Sequence, residues 1–395
     1  MTKIVVSGLG VVSPYGAGAK TFWAGLVAGA CPIRPITLFD TDGFRSRIAA
    51  EAPADVVAGL APSRRRSRGD RLALAAAHEA VADAGLSPRD LARAALIVGA
   101  IGGGMLEGEA CYWEEAQSGR SSTRRRAFRS ILPSSHAETL GHELRLGGPK
   151  ETVVMACASG AASIALGADL IRDGVVPLVL AGGVDALTRI CFMGFNALKL
   201  LDPEPCRPFD RTRRGMSVGE AAAFLVLEDA EHCEARGGRD YGKLRGAGMT
   251  TDAHHITAPH SEGEGMIRAM TLALDAARVT AAEIQYVNAH GTGTQQNDRT
   301  EALALRRVFG DGGVLVSSIK SMVGHTMAAA GAIEAVATVL TLQHGVIPPT
   351  AHLTDLDPEI PFDCIAGVAR ASQIELALSN SFGFGGQNAT LVFQK

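Results

Sequence analysis

Along most of the chain, short β-branched apolar runs alternate with longer alanine-rich stretches that carry a helical period. Residues 3–7 read as a strand, 69–84 as an amphipathic helix stopped by Gly85, and 95–99 as a strand leading to the glycine cluster Gly102-Gly103-Gly104. Residues 151–155 read as a strand running directly into a helix over 158–173, and 178–181 as a further buried strand. Apolar strands of this length set between helices predict an α/β layered fold with mostly parallel strands. One pattern returns. Gly160-Ala161, followed by Gly174-Val175-Val176-Pro177, recurs at the same internal spacing as Gly331-Ala332, followed by Gly345-Val346-Ile347-Pro348. Each copy is a buried alanine-rich helix, a glycine stop and a Val/Ile-Pro exit, which predicts two duplicated halves. The seam is expected in 228–238, a stretch rich in Glu, Arg and Gly, and divides the chain into residues 1–235 and 236–395.

A length of 395 residues, 47% of them hydrophobic, suits two fused cores better than one. The formal net charge of -3 gives no global field to attract nucleic acid or a membrane surface, so a charged partner must use a local patch. Two arginine runs offer one: Arg64, Arg65, Arg66 and Arg68, then Arg124, Arg125, Arg126 and Arg129. A single run of this kind is ordinarily a solvated loop face; two on a near-neutral chain point to docking. Seven cysteines at irregular spacing, with no CxxC pair, predict neither a disulfide framework nor a metal site, and reduced thiols are expected. The apolar N-terminal stretch is too short for a signal peptide or membrane anchor, so a cytoplasmic protein is expected.

Candidate chemistry gathers in a few short stretches. Cys157 follows the apolar run Val153-Val154-Met155-Ala156 and precedes the small residues Ala158-Ser159-Gly160, which sets it at a strand-to-helix elbow. Unpaired N–H groups at a helix start favour a thiolate, and an elbow presents a nucleophile. His290 stands in Asn288-Ala289-His290-Gly291-Thr292-Gly293-Thr294, a loop whose glycines let a ligand approach the backbone. His325 stands in Lys320-Ser321-Met322-Val323-Gly324-His325-Thr326, just before the second alanine-rich helix. Lys320 and Glu334 would orient the site as a buried pair; a surface ion pair is the other reading. The stretch 380–388 reads as a glycine-rich loop between two strands, with Phe382 and Phe384 as a gate over a cavity.

These stretches, in this order, resemble the elongating β-ketoacyl-acyl-carrier-protein synthases of the thiolase superfamily, and the resemblance covers nearly the whole chain. The opening Val6-Ser7-Gly8-Leu9-Gly10-Val11-Val12-Ser13-Pro14 is similar too, as is Arg207-Pro208-Phe209-Asp210 with Gly215, Gly219 and Glu220. Gly8 and Gly10 alone would be a weak dinucleotide signal, and no nicotinamide chemistry is needed. The resemblance implies a layered αβαβα sandwich. It implies an acyl group held on Cys157 as a thioester, with His290 and His325 promoting decarboxylation of a malonyl extender and Lys320 and Glu334 supporting them. Backbone N–H groups of Cys157 and Phe384 would form the oxyanion hole. Thr292 and Thr294 would line the channel for a phosphopantetheine arm, which arrives on an acyl carrier protein; no other cofactor and no metal is implied. Phe384 would gate the acyl pocket, with Asp252 and Asn388 on cooperating loops, and Arg207 would join the arginine runs at the channel mouth. A dimer with a second copy or a homologous ketosynthase-like subunit is implied, with 151–155 at its seam.

Three departures, one of them the polar, arginine-rich segment 107–129, leave the pathway open between fatty-acid synthesis and a type II polyketide or polyene route. Gln387 stands where fatty-acid relatives usually carry threonine, and Ala221 where many carry glycine. A thiolase would carry a second cysteine in the loop 383–388, and a starter-unit synthase an asparagine in place of His325. A non-catalytic chain-length factor would lack Cys157. All three therefore rank below an active condensing enzyme of the elongating type.

Overall fold

The computed structural model describes residues 2–60, 66–120 and 125–395. The first half carries β1 (Ile4–Ser13), α1 (Arg68–Asp83), β2 (Ala95–Gly99), α2 (Met105–Ser118), α3 (Ser135–Glu143), β3 (Lys150–Val153), α4 (Ser159–Arg172), β4 (Leu178–Asp185) and β5 (Ala221–Asp229). The second half carries β6 (Lys243–Thr251), α5 (Glu264–Ala277), β7 (Tyr286–Asn288), α6 (Gln295–Phe309), β8 (Leu315–Ser317), α7 (Ala330–His344), β9 (Asp363–Cys364), β10 (Leu376–Gly383) and β11 (Gln387–Gln394).

Strand order is β3-β2-β4-β5-β1 in the first half and β8-β7-β10-β11-β6 in the second, with β9 added at the far edge. Counted within each half, both orders run third, second, fourth, fifth, first. The directions match as well: the third–second and second–fourth pairs are parallel and the remaining two antiparallel. The two halves are duplicates in topology, joined where Val5 pairs with Lys243.

The sheet is therefore mixed, against the expectation of mostly parallel strands. A strand covered on both faces reads as an apolar run whatever its direction. Direction follows from the connection: β10 returns into β11 through Phe384–Gly386, far too short for a parallel crossover.

Five layers result. α1 and α3 cover the outside of the first half-sheet, α5 and α6 the outside of the second, and α4 and α7 pack against each other between the sheets. α7 is apolar almost all round, which fits a helix with no solvent face. The largest continuous core surrounds this middle layer and draws side chains from both halves.

Glycines set the spacing of the layers, twice over. A Cβ on Gly8 or Gly10 would meet the backbone of α1 at 2.4 and 1.9 Å; on Gly246 or Gly248 it would meet that of α5 at 2.3 and 2.1 Å. The opening Gly-x-Gly is thus a helix seat repeated in the second half. In the middle layer the contact is reciprocal. A Cβ on Gly160 would lie 2.7 Å from Ala332 N, and one on Gly331 2.6 Å from Ala161 N. The stretch expected as an apolar strand at 151–155 is instead an edge strand with Lys150 and Glu151 exposed, followed by Val154 at 57% exposure.

Candidate active site

The chain turns sharply between β3 and α4. Ala156 has a φ of 44°, which is costly for a residue with a side chain, and Ser159 locks the turn. Its Oγ accepts from Met155 N at 2.8 Å and donates to Ala156 O at 2.7 Å. The elbow sets Cys157, 9% exposed, at the floor of a cavity. The N–H groups of Phe384 and of Cys157 itself approach the sulfur. A Cβ on Gly383 would lie 3.0 Å from Cys157 N, so only glycine brings the Phe384 strand end this close. Burial pushes the Cys157 thiol up to about 11, opposed by Lys320 and by the Phe384 N–H. The expected thiolate preference of a helix start is thus outweighed by desolvation, and the resting nucleophile is a neutral thiol.

His290 follows β7. Its loop is tied down by two buried carboxylates of α6. Glu301 accepts from His290 N at 2.8 Å and Gly291 N at 2.7 Å; Asp298 accepts from Thr292 N at 3.0 Å and Gly293 N at 3.1 Å. Burial raises both acids, Glu301 to about 7. The Thr292 and Thr294 hydroxyls bond to each other at 2.9 Å, and Thr294 caps α6.

His325 enters on the other side, held by a strand of the first half: its N–H donates to Ser217 O at 2.7 Å and its carbonyl accepts from Gly219 N at 2.9 Å. Lys320 and Glu334, both 1% exposed, form a buried ion pair behind the imidazoles. Lys320 Nζ also reaches His290 Nδ1 at 3.2 Å. Met327 N donates to His325 Nδ1 at 3.2 Å. With each Nδ1 accepting, the ring proton of each histidine sits on Nε2. Burial and the Lys320 charge hold both imidazoles well below the ordinary histidine range, so both are neutral donors at pH 7.

The three side chains converge. One nitrogen of each ring and the Cys157 sulfur lie within 4.8 Å of one another, and the rings meet edge to face at 5.3 Å. A cysteine with two histidines is also a metal-ligand set, but the Lys320 ammonium against His290 opposes any added cation. Behind the site, Glu334 Oε2, the Asn288 amide and the Ser381 hydroxyl are buried without a hydrogen-bond partner among the described residues.

Cys157, His290 and His325 line a cavity of about 420 Å³ that also includes Thr292, Thr294, Phe384, Asp252 and Asn388. Asp252 and Asn388 do cooperate: Asn388 Nδ2 donates to Asp252 Oδ1 at 2.7 Å, and Asp252 N to Gly386 O at 2.8 Å. Phe384 is half-buried and faces Phe195 at 6.0 Å; Phe195 also lines a smaller pocket beyond it. Phe382, expected in the loop, belongs to β10 and is buried.

The basic residues divide. Arg68 turns inward, away from a docking face: its side chain is 11% exposed and bound to Glu220 and to Ala52 O, because α1 begins inside the protein. Arg66 pairs with Glu143, and Arg207 with Glu204 and Thr212, both half-buried. Arg64, Arg65 and Arg124, and the side chains of Arg125 and Arg126, lie outside the described residues. Cationic Lys199 and Arg214, with Thr257, line the cavity instead and were not singled out from the sequence. Nor were Asp298 and Glu301. Their signal was legible, since 298, 301, 302 and 305 form one helical stripe in which two acids interrupt the apolar face.

Two family models match, the "Beta-ketoacyl synthase, N-terminal domain" over residues 1–232 and the "Beta-ketoacyl synthase, C-terminal domain" over residues 241–354. The chain is 38% identical to the oxytetracycline polyketide putative beta-ketoacyl synthase 1 of Streptomyces rimosus, over 99% of this chain and 96% of that one. It is 38% identical to the 3-oxoacyl-[acyl-carrier-protein] synthase 2 of Rhizobium meliloti, over 100% and 99%. Among solved structures, the ishigamide ketosynthase/chain length factor superposes with a TM-score of 0.95 at 38% identity, covering 100% of this chain and 99% of that one. With the thiol, the paired imidazoles and two matching halves in place, the chain belongs to the β-ketoacyl synthase family of condensing acyltransferases.

Proposed function

We propose that this chain condenses an acyl group, held as a thioester on Cys157, with a malonyl group on an acyl carrier protein, giving carbon dioxide and a β-ketoacyl carrier. The convergence of Cys157 with two Nε2–H imidazoles carries this reading. In the first half-reaction the Cys157 sulfur bonds to the acyl carbon, and its proton leaves with the carrier's pantetheine thiol. A neutral resting thiol requires that this transfer accompany attack. In the second, the Nε2–H groups of His290 and His325 hydrogen-bond to the malonyl thioester carbonyl and stabilise the enolate left by carbon dioxide. The enolate carbon attacks acyl-Cys157, the N–H groups of Cys157 and Phe384 receive the oxyanion, and collapse releases the Cys157 sulfur.

Lys320 and Glu334 fix the His290 tautomer. Phe384 gates the passage past Phe195, with Asp252 and Asn388 holding its loop, and Thr292 and Thr294 line the pantetheine channel; the arm on the carrier is the cofactor. Labour is divided between residues 1–235, with the nucleophile, and 236–395, with the histidines and the gate. The acidic carrier docks on a cytoplasmic enzyme through Arg66, Arg207, Arg64, Arg65 and Arg124–Arg126, joined by Lys199 and Arg214.

The names of the relatives, several of them polyketide synthases, favour a polyketide route over fatty-acid synthesis. The chain works as a dimer with itself or with a homologous ketosynthase-like subunit, through the edge strand β3. Intact-mass analysis after incubation with a panel of acyl carriers tests the whole reading. A single acyl adduct that maps to Cys157 is expected, together with carbon dioxide release on adding malonyl carrier. Acylation elsewhere, or condensation by His290→Ala at the wild-type rate, would sink it.

A further inference from the structure

The duplication places a second elbow opposite the catalytic one. Cys157 and Ala328 each lie three residues ahead of the reciprocal glycines, Gly160 and Gly331. The residues just before them, Ala156 and Met327, have φ values of 44° and 54°. The strands that end at these elbows also correspond. Each first strand slips register once, ahead of Gly8 in β1 and of Gly246 in β6. Gly8 pairs with Val226 and Gly246 with Val392; those valines pair with Leu180 and Leu378. Five residues on from each leucine stand Asp185 and Gly383. Glycine leaves the Cys157 N–H open at the first elbow. At the second, a carboxylate closes it.

We infer that Asp185, by filling this second elbow, is a positioning residue for His325. The inference rests on the decarboxylating role proposed for that histidine. Asp185 is 2% exposed, and the hydrogen bonds it accepts come from backbone N–H groups. Oδ2 accepts from Ala328 N at 2.8 Å, and Oδ1 from Gly102 N at 2.7 Å and Ile101 N at 3.3 Å. Ala328 directly follows Met327, whose N–H donates to His325 Nδ1. The carboxylate thereby holds a left-handed turn that a methionine would not adopt unaided. Releasing Ala328 lets the turn relax and withdraws the donor from Nδ1. The imidazole can then protonate on Nδ1 and present a bare Nε2 lone pair to the thioester carbonyl. Repulsion replaces a hydrogen bond at the atom where charge develops, while the Ser159 bonds that hold the Cys157 elbow remain and the thiol loses only a charge that pushes it up.

Asp185→Asn tests this, because the amide keeps the shape but turns N–H groups toward backbone donors. Carbon dioxide release from malonyl carrier should fall about 10- to 100-fold. Acylation of Cys157, read by intact mass, should stay within about threefold of wild type. The nitrogen-15 spectrum of His325 should change tautomer signature, which a general loss of packing would not produce. Wild-type decarboxylation, or equal loss of both half-reactions, would overturn the inference. If Asp185→Asn does not fold, Asp185→Glu keeps the charge and moves the oxygens by one methylene; the same split is expected, and equal losses again count against it. His325→Ala in the same assay separates the two claims. If it still decarboxylates, the role proposed for His325 fails, and the nitrogen-15 signature alone judges the positioning.

Discussion

The two elbows of this protein share one backbone and differ in what fills them. At one, Gly383 leaves the Cys157 N–H free beside that of Phe384; at the other, Asp185 occupies the Ala328 N–H. At the nucleophile itself the difference is a thiol against a methyl group. One elbow can receive a developing oxyanion, and the other is already closed by the Asp185 carboxyl group and serves as scaffold. Duplication supplied two anion-ready turns, and the neighbouring side chains decided which of them does chemistry.

Removing the nucleophile gives the largest effect. Cys157→Ala should abolish both acyl loading and condensation, while Cys157→Gln should lose condensation and keep carbon dioxide release, because the histidines remain. Loading of either variant, seen by mass, would break the assignment. Gly383→Asp copies the second elbow onto the first. It should lower condensation about a thousandfold, or about 4 kcal/mol in barrier, in a protein that still folds. Normal turnover would mean that the Cys157 N–H is not used.

Gly160→Ala and Gly331→Ala probe the seam. Each added methyl meets backbone of the partner helix, and each should cost about 1–3 kcal/mol in denaturant unfolding. Markedly unequal losses would show that the reciprocal packing is not a working symmetry. The smallest effect concerns protonation. Because burial raises the Cys157 thiol to about 11, only a small fraction is ionised below that pH. Its alkylation by iodoacetamide should rise about tenfold per pH unit from 8 to 10. Lys320→Met removes the cation that opposes burial and should displace this profile upward; a plateau near pH 9 in the wild type would contradict the assignment.

Much of the site was legible because it is built from contiguous stretches. The Cys157 elbow, the His290 loop, the Lys320–His325 segment and the Phe384 turn each carry their own glycine or small-residue signature, and each sits where a strand hands over to a helix or turn. The repeated alanine-rich helices announced the duplication for the same reason. Arg68 shows the limit. It stands in an arginine run that reads as solvated, yet it opens a helix beneath Glu220, and no local pattern states that depth. Asp298 and Glu301 were marked only by breaking an apolar stripe, a signal easily taken for a helix surface.

By itself the sequence determined the α/β class, the two halves, the identities of the thiol, the imidazoles and the Lys320–Glu334 pair, and the family, but not that this pair is buried. Those are properties of local period and short motifs. Tertiary structure alone decided strand direction, the neutral state of Cys157 and both histidines, their tautomers, and which elbow stays open. Each of these depends on groups brought together from distant positions. Protonation is set by desolvation and by the Lys320 charge, and the open elbow by residues at the ends of two matched strands more than 190 positions apart.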